Sequence, residues 1–282
     1  MKYRYIIAAA AASLLSVFAS AQTPQDSLVF VNTDWGWQDI GKGAQAGYAD
    51  LNIFGASESI SVIRYPMRKY KTAIGEATGE NCTTTPKLAE ALGATIACNG
   101  SYFNMRKLTP VTFITIAHQQ LGSVTKNETF RTDGLVAIKG KCGKKVEIFA
   151  YDTLDNERLC KKYYSVLSSG PLLIKDGKTI PCTKTTSFFT GRHPRTIIGI
   201  SPDKYIYMIV IDGRWKEHSA GATIPETAAV ARYFGLVDAL NLDGGGSSTC
   251  WSAQTGVINH PNDNGKWDHE GCRRDPNIVW AK

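Results

Sequence analysis

The stretch Asn241-Leu242-Asp243-Gly244-Gly245-Gly246-Ser247-Ser248-Thr249 joins a carboxylate, three consecutive glycines and three hydroxyl side chains. The apolar run at residues 236–240 predicts a buried strand directly before it, and residues 223–234 predict a helix. Glycine weakens regular structure by roughly 0.5–1 kcal/mol relative to alanine, but it lets backbone N–H groups approach an anionic or hydroxyl-rich ligand. A wide turn between strands is the alternative explanation. Because the stretch joins a carboxylate to hydroxyls, we interpret it as a ligand site at a strand end.

Other predicted strands also begin or end in polar signatures. The strand at 94–98 runs into Asn99-Gly100-Ser101-Tyr102-Phe103, and the strand at 205–211 ends in Asp212-Gly213-Arg214. Gly191-Arg192-His193-Pro194-Arg195-Thr196 leads into the strand at 197–200. Each signature alone fits a turn, and two arginines beside a proline also fit a surface salt bridge. Together they indicate a pocket built by strand ends from distant parts of the chain.

The remaining patterns predict an α+β fold with a mixed, largely antiparallel β-sheet core and a few helices. A helix is predicted at residues 86–92. In the helix at 223–234, Thr223-x-x-Glu226 forms a capping box, which gives Glu226 a structural explanation. Further strands are predicted at 28–31, 49–54, 59–65, 110–117, 129–139, 145–151, 164–167 and 278–280, with a hairpin over 172–178 that turns at Asp176-Gly177.

The N-terminal residues predict export. Lys2 and Arg4 precede an apolar core at 6–18 and an Ala19-Ser20-Ala21 cleavage site, as in a signal peptide. We therefore expect residues 1–21 to be removed, leaving a single domain at 22–282 with its motifs at about 94–282 and no integral membrane segment. The protein is then expected to be periplasmic or secreted.

Composition excludes several function classes. The 282 residues carry a net charge of +7, but no basic run is interleaved with aromatics, which argues against nucleic-acid binding. None of the seven cysteines has C-x-x-C spacing, and no two of the five histidines have metal-ligand spacing. Cys98 and Cys250 adjoin motifs within apolar strands, which favours buried thiols over nucleophiles. We expect neither a metal nor another cofactor.

The motifs taken together resemble those of the phosphodiester glycosidase family. The resemblance rests on the Asp243–Ser248 stretch, on Asp212-Gly213-Arg214 and on the segment from Arg192 to Thr196. Asn99 to Phe103 is similar to the family's Asn-Gly-Gly-Phe-Phe element, with Ser101 replacing a glycine and Tyr102 a phenylalanine. Ser169-Gly170-Pro171 is similar to its Ser-Gly-Pro, and Arg273 to Asn277 to its Arg-x-x-x-Asn. The match covers about residues 99–277.

The resemblance implies hydrolysis of a sugar-1-phosphodiester, such as an N-acetylglucosamine-1-phosphodiester, to free sugar and a phosphate monoester. It implies Asp243 as the carboxylate facing the anomeric carbon, with Asp212 and then Glu226 as second and third candidates. Arg192 and Arg195 would hold the phosphate, since arginine forks match phosphate oxygens. The substrate-binding candidates are Asn99, Tyr102, Phe103, Gly170, Arg192, His193, Arg195, Thr196, Arg214, Asn241, Gly244, Gly245, Gly246, Ser247 and Ser248.

Two other functions fit the same residues. A non-catalytic protein that binds surface polysaccharide would keep the arginines and aromatics but tolerate loss of Asp243. A glycosidase acting on a non-phosphorylated acidic glycan would use the arginines for a carboxylate instead of a phosphate.

Overall fold

A computed structural model describes residues 23–282, so the predicted signal peptide lies outside the described residues. The five helices of this region are α1 (Pro24–Val31), α2 (Thr85–Ala91), α3 (Asn156–Lys162), α4 (Ser187–Thr190) and α5 (Ile224–Tyr233). Short 3-10 turns cover Gly79–Asn81, Lys126–Glu128, Thr153–Asp155 and Gly245–Ser247. Between residues 23 and 282, no helix is long and apolar enough to cross a membrane.

The largest sheet has eight strands, all paired antiparallel. Strands are numbered β1 to β22 in chain order. In spatial order this sheet contains β1 (Gln38–Gly41), β2 (Ala44–Ile53), β3 (Ala56–Pro66), β17 (Tyr205–Ile211), β16 (Arg195–Ile200), β18 (Asp238–Asn241), β14 (Leu172–Lys175) and β15 (Lys178–Thr179).

Two five-stranded antiparallel sheets complete the main framework. One orders β10 (Gln119–Gly122), β9 (Ile114–Ile116), β13 (Ser165–Ser169), β11 (Gly134–Ile138) and β12 (Val146–Ala150). The other orders β20 (Gly256–Val257), β19 (Cys250–Ser252), β6 (Ile96–Asn99), β22 (Asn277–Ala281) and β4 (Thr72–Glu76). Two ribbons pair β21 (Arg274–Asp275) with β5 (Thr83–Thr84) and β7 (Phe103–Asn104) with β8 (Thr109–Pro110).

The core is formed where the three sheets face one another. Ile198 of the large sheet, Val136 of the second and Val279 of the third belong to one cluster of fully buried side chains. The opposite face of the large sheet packs against helices, through Phe30 of α1 and Val230 of α5. Burial on both faces explains why the central strands are almost continuously apolar. The predicted α+β class with a largely antiparallel core is confirmed.

The prediction of a strand at 28–31 is wrong, because these residues form the end of α1. Thr23 and Asp26 make a capping box and Pro24 takes the first helical position, so the signals that start this helix lie before the apolar run. Phe30 then packs edge-on against Phe234 at 4.7 Å. This run, which contains three β-branched or aromatic residues, thus adopts a helix because the cap and the tertiary contact outweigh its strand propensity.

Two longer strand predictions are only partly right. Residues 110–117 are divided between β8 and β9, and within 129–139 only Gly134–Ile138 is a strand. The helices at 86–92 and 223–234 and the hairpin at Asp176-Gly177 are confirmed to within two residues at each end. These are the segments with the strongest capping and turn signals.

Candidate active site

The glycine-rich loop leaves the large sheet at the end of β18. Hydrogen bonds hold it to the end of β6, which belongs to another sheet. The Asp243 amide donates to the Gly100 carbonyl at 2.9 Å. The Asn99 side chain donates to the Asp243 carbonyl at 2.7 Å, and its own oxygen accepts from Thr196 and from the Thr249 amide. Asn99 is fully buried, so it ties strands together and does not face a ligand.

The Asp243 carboxylate is held in one orientation by its own loop. Oδ1 accepts from the Gly244 amide at 2.8 Å, and Oδ2 accepts from the Ser247 hydroxyl at 3.0 Å. Asp243 remains partly accessible to solvent, whereas Ser247 is buried. Gly245 has a φ of +62°, a conformation that side chains rarely adopt and that lets the loop turn under the carboxylate.

Burial and neighbouring positive charges have opposite effects on the pKa of Asp243. Burial raises the pKa of its carboxyl, and the Arg131 charge opposes that rise most strongly, followed by the Gly244 and Ser247 hydrogen bonds and by Arg273. A carboxylate that is desolvated yet matched by cations is typical of catalytic groups.

Three guanidinium groups surround the glycine loop. Arg131 stacks on the Tyr102 ring at 3.9 Å from its centroid and donates through Nε to Glu128. Arg214 is exposed, and a side-chain carbon added at Gly245 would lie 3.0 Å from its Nη2. In the described part of the chain no acceptor holds the Arg214 guanidinium. It is therefore available to an anionic ligand over the loop.

The third guanidinium, Arg273, lies against Gly246 and is paired with Asp263, whose carboxylate oxygens accept from Nε at 3.0 and 3.1 Å. An alanine at Gly246 would clash with both side chains. A surface cavity of about 440 Å³ opens here, lined by Arg273, Asp263 and Arg274 among others. Glycine therefore allows this ion pair to approach the loop backbone.

Several predicted binding residues are buried supports of this loop. Asn241 donates to the Tyr102 hydroxyl at 3.1 Å and to the Gly170 carbonyl at 2.9 Å, and the Tyr102 hydroxyl donates to Gly170 at 2.5 Å. Tyr102 is 1% exposed, so its ring presents its face to Arg131 and not to a sugar. The same burial applies to Asn99, Thr196, Asn241, Ser247 and Ser248.

The structure argues against the phosphate-clamp role of Arg192. Its guanidinium donates to Glu58 at 2.7 Å and Glu226 at 2.6 Å, and also to the Phe54 and Gly221 carbonyls. Glu226 in turn accepts from the Thr223 amide and hydroxyl, which confirms the capping box. Four protein acceptors thus hold the Arg192 guanidinium. Both carboxylate oxygens of Glu226 accept hydrogen bonds within the protein.

Glu58, which belongs to no sequence motif, completes this cluster. It is 1% exposed, and burial raises the pKa of its carboxyl to about 8 although the Gly221 amide and Arg192 favour the charged form. Because its pKa in the folded protein exceeds that in the unfolded chain, Glu58 contributes stability below about pH 4.5. This contribution is lost as the pH rises towards 8.

Arg195 also points into the protein, whereas His193 is partly exposed. Arg195 is 2% exposed and donates to the Ala222, Phe188 and Gly191 carbonyls, and burial lowers the pKa of its guanidinium to about 10. His193 contacts the Ser187 carbonyl at 3.2 Å. The predicted clamp by Arg195 is therefore replaced by a structural role, because backbone carbonyls already hold its donors.

Asp212 is 1% exposed and bound on both oxygens. It accepts from the Asn259 side chain at 3.0 Å and the His260 amide at 2.9 Å, and its second oxygen lies 3.3 Å from His260 Nδ1. Phe103 lies in β7, partly buried. The accessible members of the predicted set at the loop are Asp243, Gly244, Gly245 and Arg214.

Replacing Arg192 by leucine is expected to destabilise the fold and to leave kcat/KM almost unchanged. Breaking a buried pair costs about 3–5 kcal/mol, and we expect the lower end because the raised pKa of Glu58 leaves little uncompensated charge when the arginine is removed. Urea unfolding at pH 7 measures the change. Arg158→Leu is the matched control, because that arginine pairs with Asp155 on an exposed helix. Unchanged stability with lost activity would restore Arg192 to the substrate site.

Burial disfavours the thiolate form of the cysteines next to the motifs. Burial raises the pKa of Cys98 and of Cys250, which face each other across β6 and β19, and raises that of Cys272 to about 11. Residues 23–282 contain no group of three or more His, Cys, Asp or Glu side chains that could hold a metal ion. A reaction without a cofactor remains a prediction.

The family model for phosphodiester glycosidases matches residues 92–280. This chain belongs to the phosphodiester glycosidase family. The resemblance seen in the motifs is thereby confirmed, and membership indicates a glycosidase-type hydrolase. No curated protein sequence matches the chain.

Solved structures share the fold of this phosphodiester glycosidase. The catalytic domain of zebrafish N-acetylglucosamine-1-phosphodiester α-N-acetylglucosaminidase, auto-inhibited by its pro-peptide, matches with a TM-score of 0.63 and 18% identity over 88% of this chain and 84% of that one. A hypothetical protein from Synechocystis matches at 0.61 and 14% over 87% of this chain but only 63% of its own length. A protein from Burkholderia pseudomallei matches with a TM-score of 0.57 and 15% identity over 80% of this chain and 74% of that one.

Proposed function

We propose that this chain is an exported hydrolase that cleaves the glycosidic C–O bond of a sugar-1-phosphodiester, releasing free sugar and a phosphate monoester. The observation that carries the proposal is an accessible carboxylate, Asp243, flanked by Arg131, Arg214 and Arg273. The name of the zebrafish relative supports an N-acetylglucosamine-1-phosphodiester as the substrate class.

The chemistry requires few groups because the leaving group is already stable as an anion. A phosphate monoester has a second pKa of about 6, so its departure needs charge stabilisation more than protonation. Arg214, whose guanidinium is free over Gly245, and Arg131 supply that charge. Asp243 faces the anomeric carbon, as a nucleophile or as the base that activates water.

The bond cleaved can be determined with isotopically labelled water. The purified protein is incubated in oxygen-18 water with a panel of sugar-1-phosphodiesters and plain α-glycosides. We expect label on the anomeric hydroxyl of the released sugar, unlabelled phosphate, and activity that persists in chelator. Label in the phosphate would instead mean attack at phosphorus and would refute the assignment.

The same panel separates the alternative functions. Hydrolysis of glycosides of acidic, non-phosphorylated sugars in preference to phosphodiesters would indicate that the arginines hold a carboxylate. Binding of polysaccharide without release of sugar would indicate a binding protein.

Export is a second part of the proposal. N-terminal sequencing of the protein purified from its native cell is expected to begin at or near Gln22, because cleavage follows Ala19-Ser20-Ala21. A mature protein that retains Met1 would contradict it.

A further inference from the structure

Two separate segments carry guanidinium groups that lie over the glycine loop. Arg214 belongs to the segment 212–219, which follows β17, and a side-chain carbon added at Gly245 would lie 3.0 Å from its Nη2. Arg273 belongs to the loop 258–273, between β20 and β21, and lies against the next glycine. The loop contains no helix or strand of its own. Contacts between the two segments therefore decide how the two cations are spaced.

Trp267 joins these segments through stacked rings. Its indole is nearly parallel to the His260 ring, at 3.8 Å and 5°, and to the His218 ring, at 4.3 Å and 9°. His260 belongs to the same loop as Trp267, whereas His218 belongs to the segment 212–219. The edge of the Trp215 ring meets the indole at 5.6 Å, and Trp215 Nε1 donates to the His260 carbonyl at 3.3 Å. Three rings from the two segments thus meet on one indole.

The stacking of His218 has no other structural explanation. Its side chain is exposed, and among the described residues its imidazole forms no hydrogen bond. A free surface imidazole would sample several rotamers, so its parallel position on Trp267 is a contact that the fold holds. Aromatic pairs stabilise beyond the area that they bury. The indole is therefore the point at which the tip of one segment is tied to the other.

We propose that Trp267 is a positioning residue that joins the segment 212–219 to the loop 258–273. Through this joint it sets the spacing of Arg214 and Arg273 over the glycine loop. The catalytic part of the inference rests on the proposed function, in which cations stabilise the departing phosphate. Such stabilisation requires donors that are fixed before the reaction, and a displacement of about 1 Å can lower the rate by about 100-fold.

The first test is amide hydrogen exchange on the purified protein without substrate. Trp267→Leu keeps an apolar side chain but removes the ring. It should speed exchange in both segments by at least about 2- to 10-fold, the value of one aromatic pair. Trp267→Phe can still stack and should restore rates close to those of the wild type.

Two histidine variants complete the exchange experiment. His218→Ala removes the partner of the indole and should speed exchange in the loop 258–273, although the mutation lies in the other segment. It carries the same test if Trp267→Leu does not fold, because His218 is exposed. His118→Ala is the matched control, since this exposed histidine contacts Tyr164 elsewhere on the surface. It should leave exchange in both segments unchanged.

The second test measures steady-state kinetics on a sugar-1-phosphodiester. Trp267→Leu and His218→Ala should lower kcat by about 10- to 100-fold. The change in KM should be smaller, because the cations act most on charge that develops in the transition state. Trp267→Phe should regain most of the wild-type kcat, and a residue that only stabilised the fold would not produce this split.

The two tests separate this inference from the proposed function. Wild-type exchange in the segment 212–219 of Trp267→Leu would overturn the inference. A wild-type kcat in a variant whose two segments both exchange faster would also overturn it. Faster exchange in both segments of a protein that hydrolyses no sugar-1-phosphodiester would confirm the joint at Trp267 and refute only the proposed function and its catalytic consequence.

Discussion

Asp243→Asn is expected to lower kcat/KM on a sugar-1-phosphodiester by at least about 10²–10⁴-fold, the contribution of a positioned acid or base. Asparagine keeps the size of the side chain and one acceptor oxygen for the Gly244 amide. It loses the negative charge that faces the anomeric carbon in the proposed reaction. Steady-state kinetics and thermal unfolding on the same preparation measure the two effects separately. The melting temperature should not fall, because burial already disfavours the Asp243 charge.

Asp212→Asn is the matched comparison, since Asp212 was the second candidate from sequence. Its oxygens accept from Asn259 and His260, so the variant should lose stability and should retain activity at temperatures where it is folded. An inactive, stable Asp212→Asn beside an active Asp243→Asn would exchange their roles.

Arg131→Gln is expected to lower kcat/KM by about 10- to 150-fold, which corresponds to about 1.5–3 kcal/mol for a charged hydrogen bond. It should also move the acid limb of the pH profile upwards. Arg131 is the strongest influence that lowers the pKa of Asp243, so its removal raises that pKa and reduces the ionised fraction at any given acidic pH. Rates measured between pH 4 and 9 report both effects.

Glu128→Gln is the control for Arg131, because it removes the anchor of the guanidinium while the cation stays on the Tyr102 ring. A loss below about 10-fold and no shift of the acid limb are expected. If Arg131→Gln leaves the acid limb in place, its charge does not act on Asp243 in the working enzyme.

The sequence determined the parts of the fold that depend on local signals. Thr223, Pro225 and Glu226 start α5, and the Asp176-Gly177 turn joins β14 to β15. Alternation and apolar runs identified the central strands. Helix α1 was missed because its capping box, from Thr23 to Asp26, precedes a run of residues with strand propensity. The contact of Phe30 with Phe234, which is distant in the sequence, cannot be inferred from local residues.

The glycine loop and Asp243 could also be found from sequence, because a carboxylate, three glycines and hydroxyls act together within a few residues. The cations could not be assigned in this way. Arg192 and Arg195 had the more suggestive local pattern, yet tertiary structure commits them to Glu58, Glu226 and backbone carbonyls. Arg131 belongs to no sequence motif. Its position depends on stacking against the ring of Tyr102, which lies in the segment after β6.

The ion pairing of Arg192 was likewise decided only by the tertiary structure. A sequence specifies that an arginine or aspartate is present, but its charge and its free donors depend on which groups the fold places within a few ångströms. For Arg192 those groups are Glu58 and Glu226, brought to it by β3 and α5 from distant parts of the chain. Local chemistry determined where the site lies in the sequence. Long-range packing and burial decided which side chains remain available to act in it.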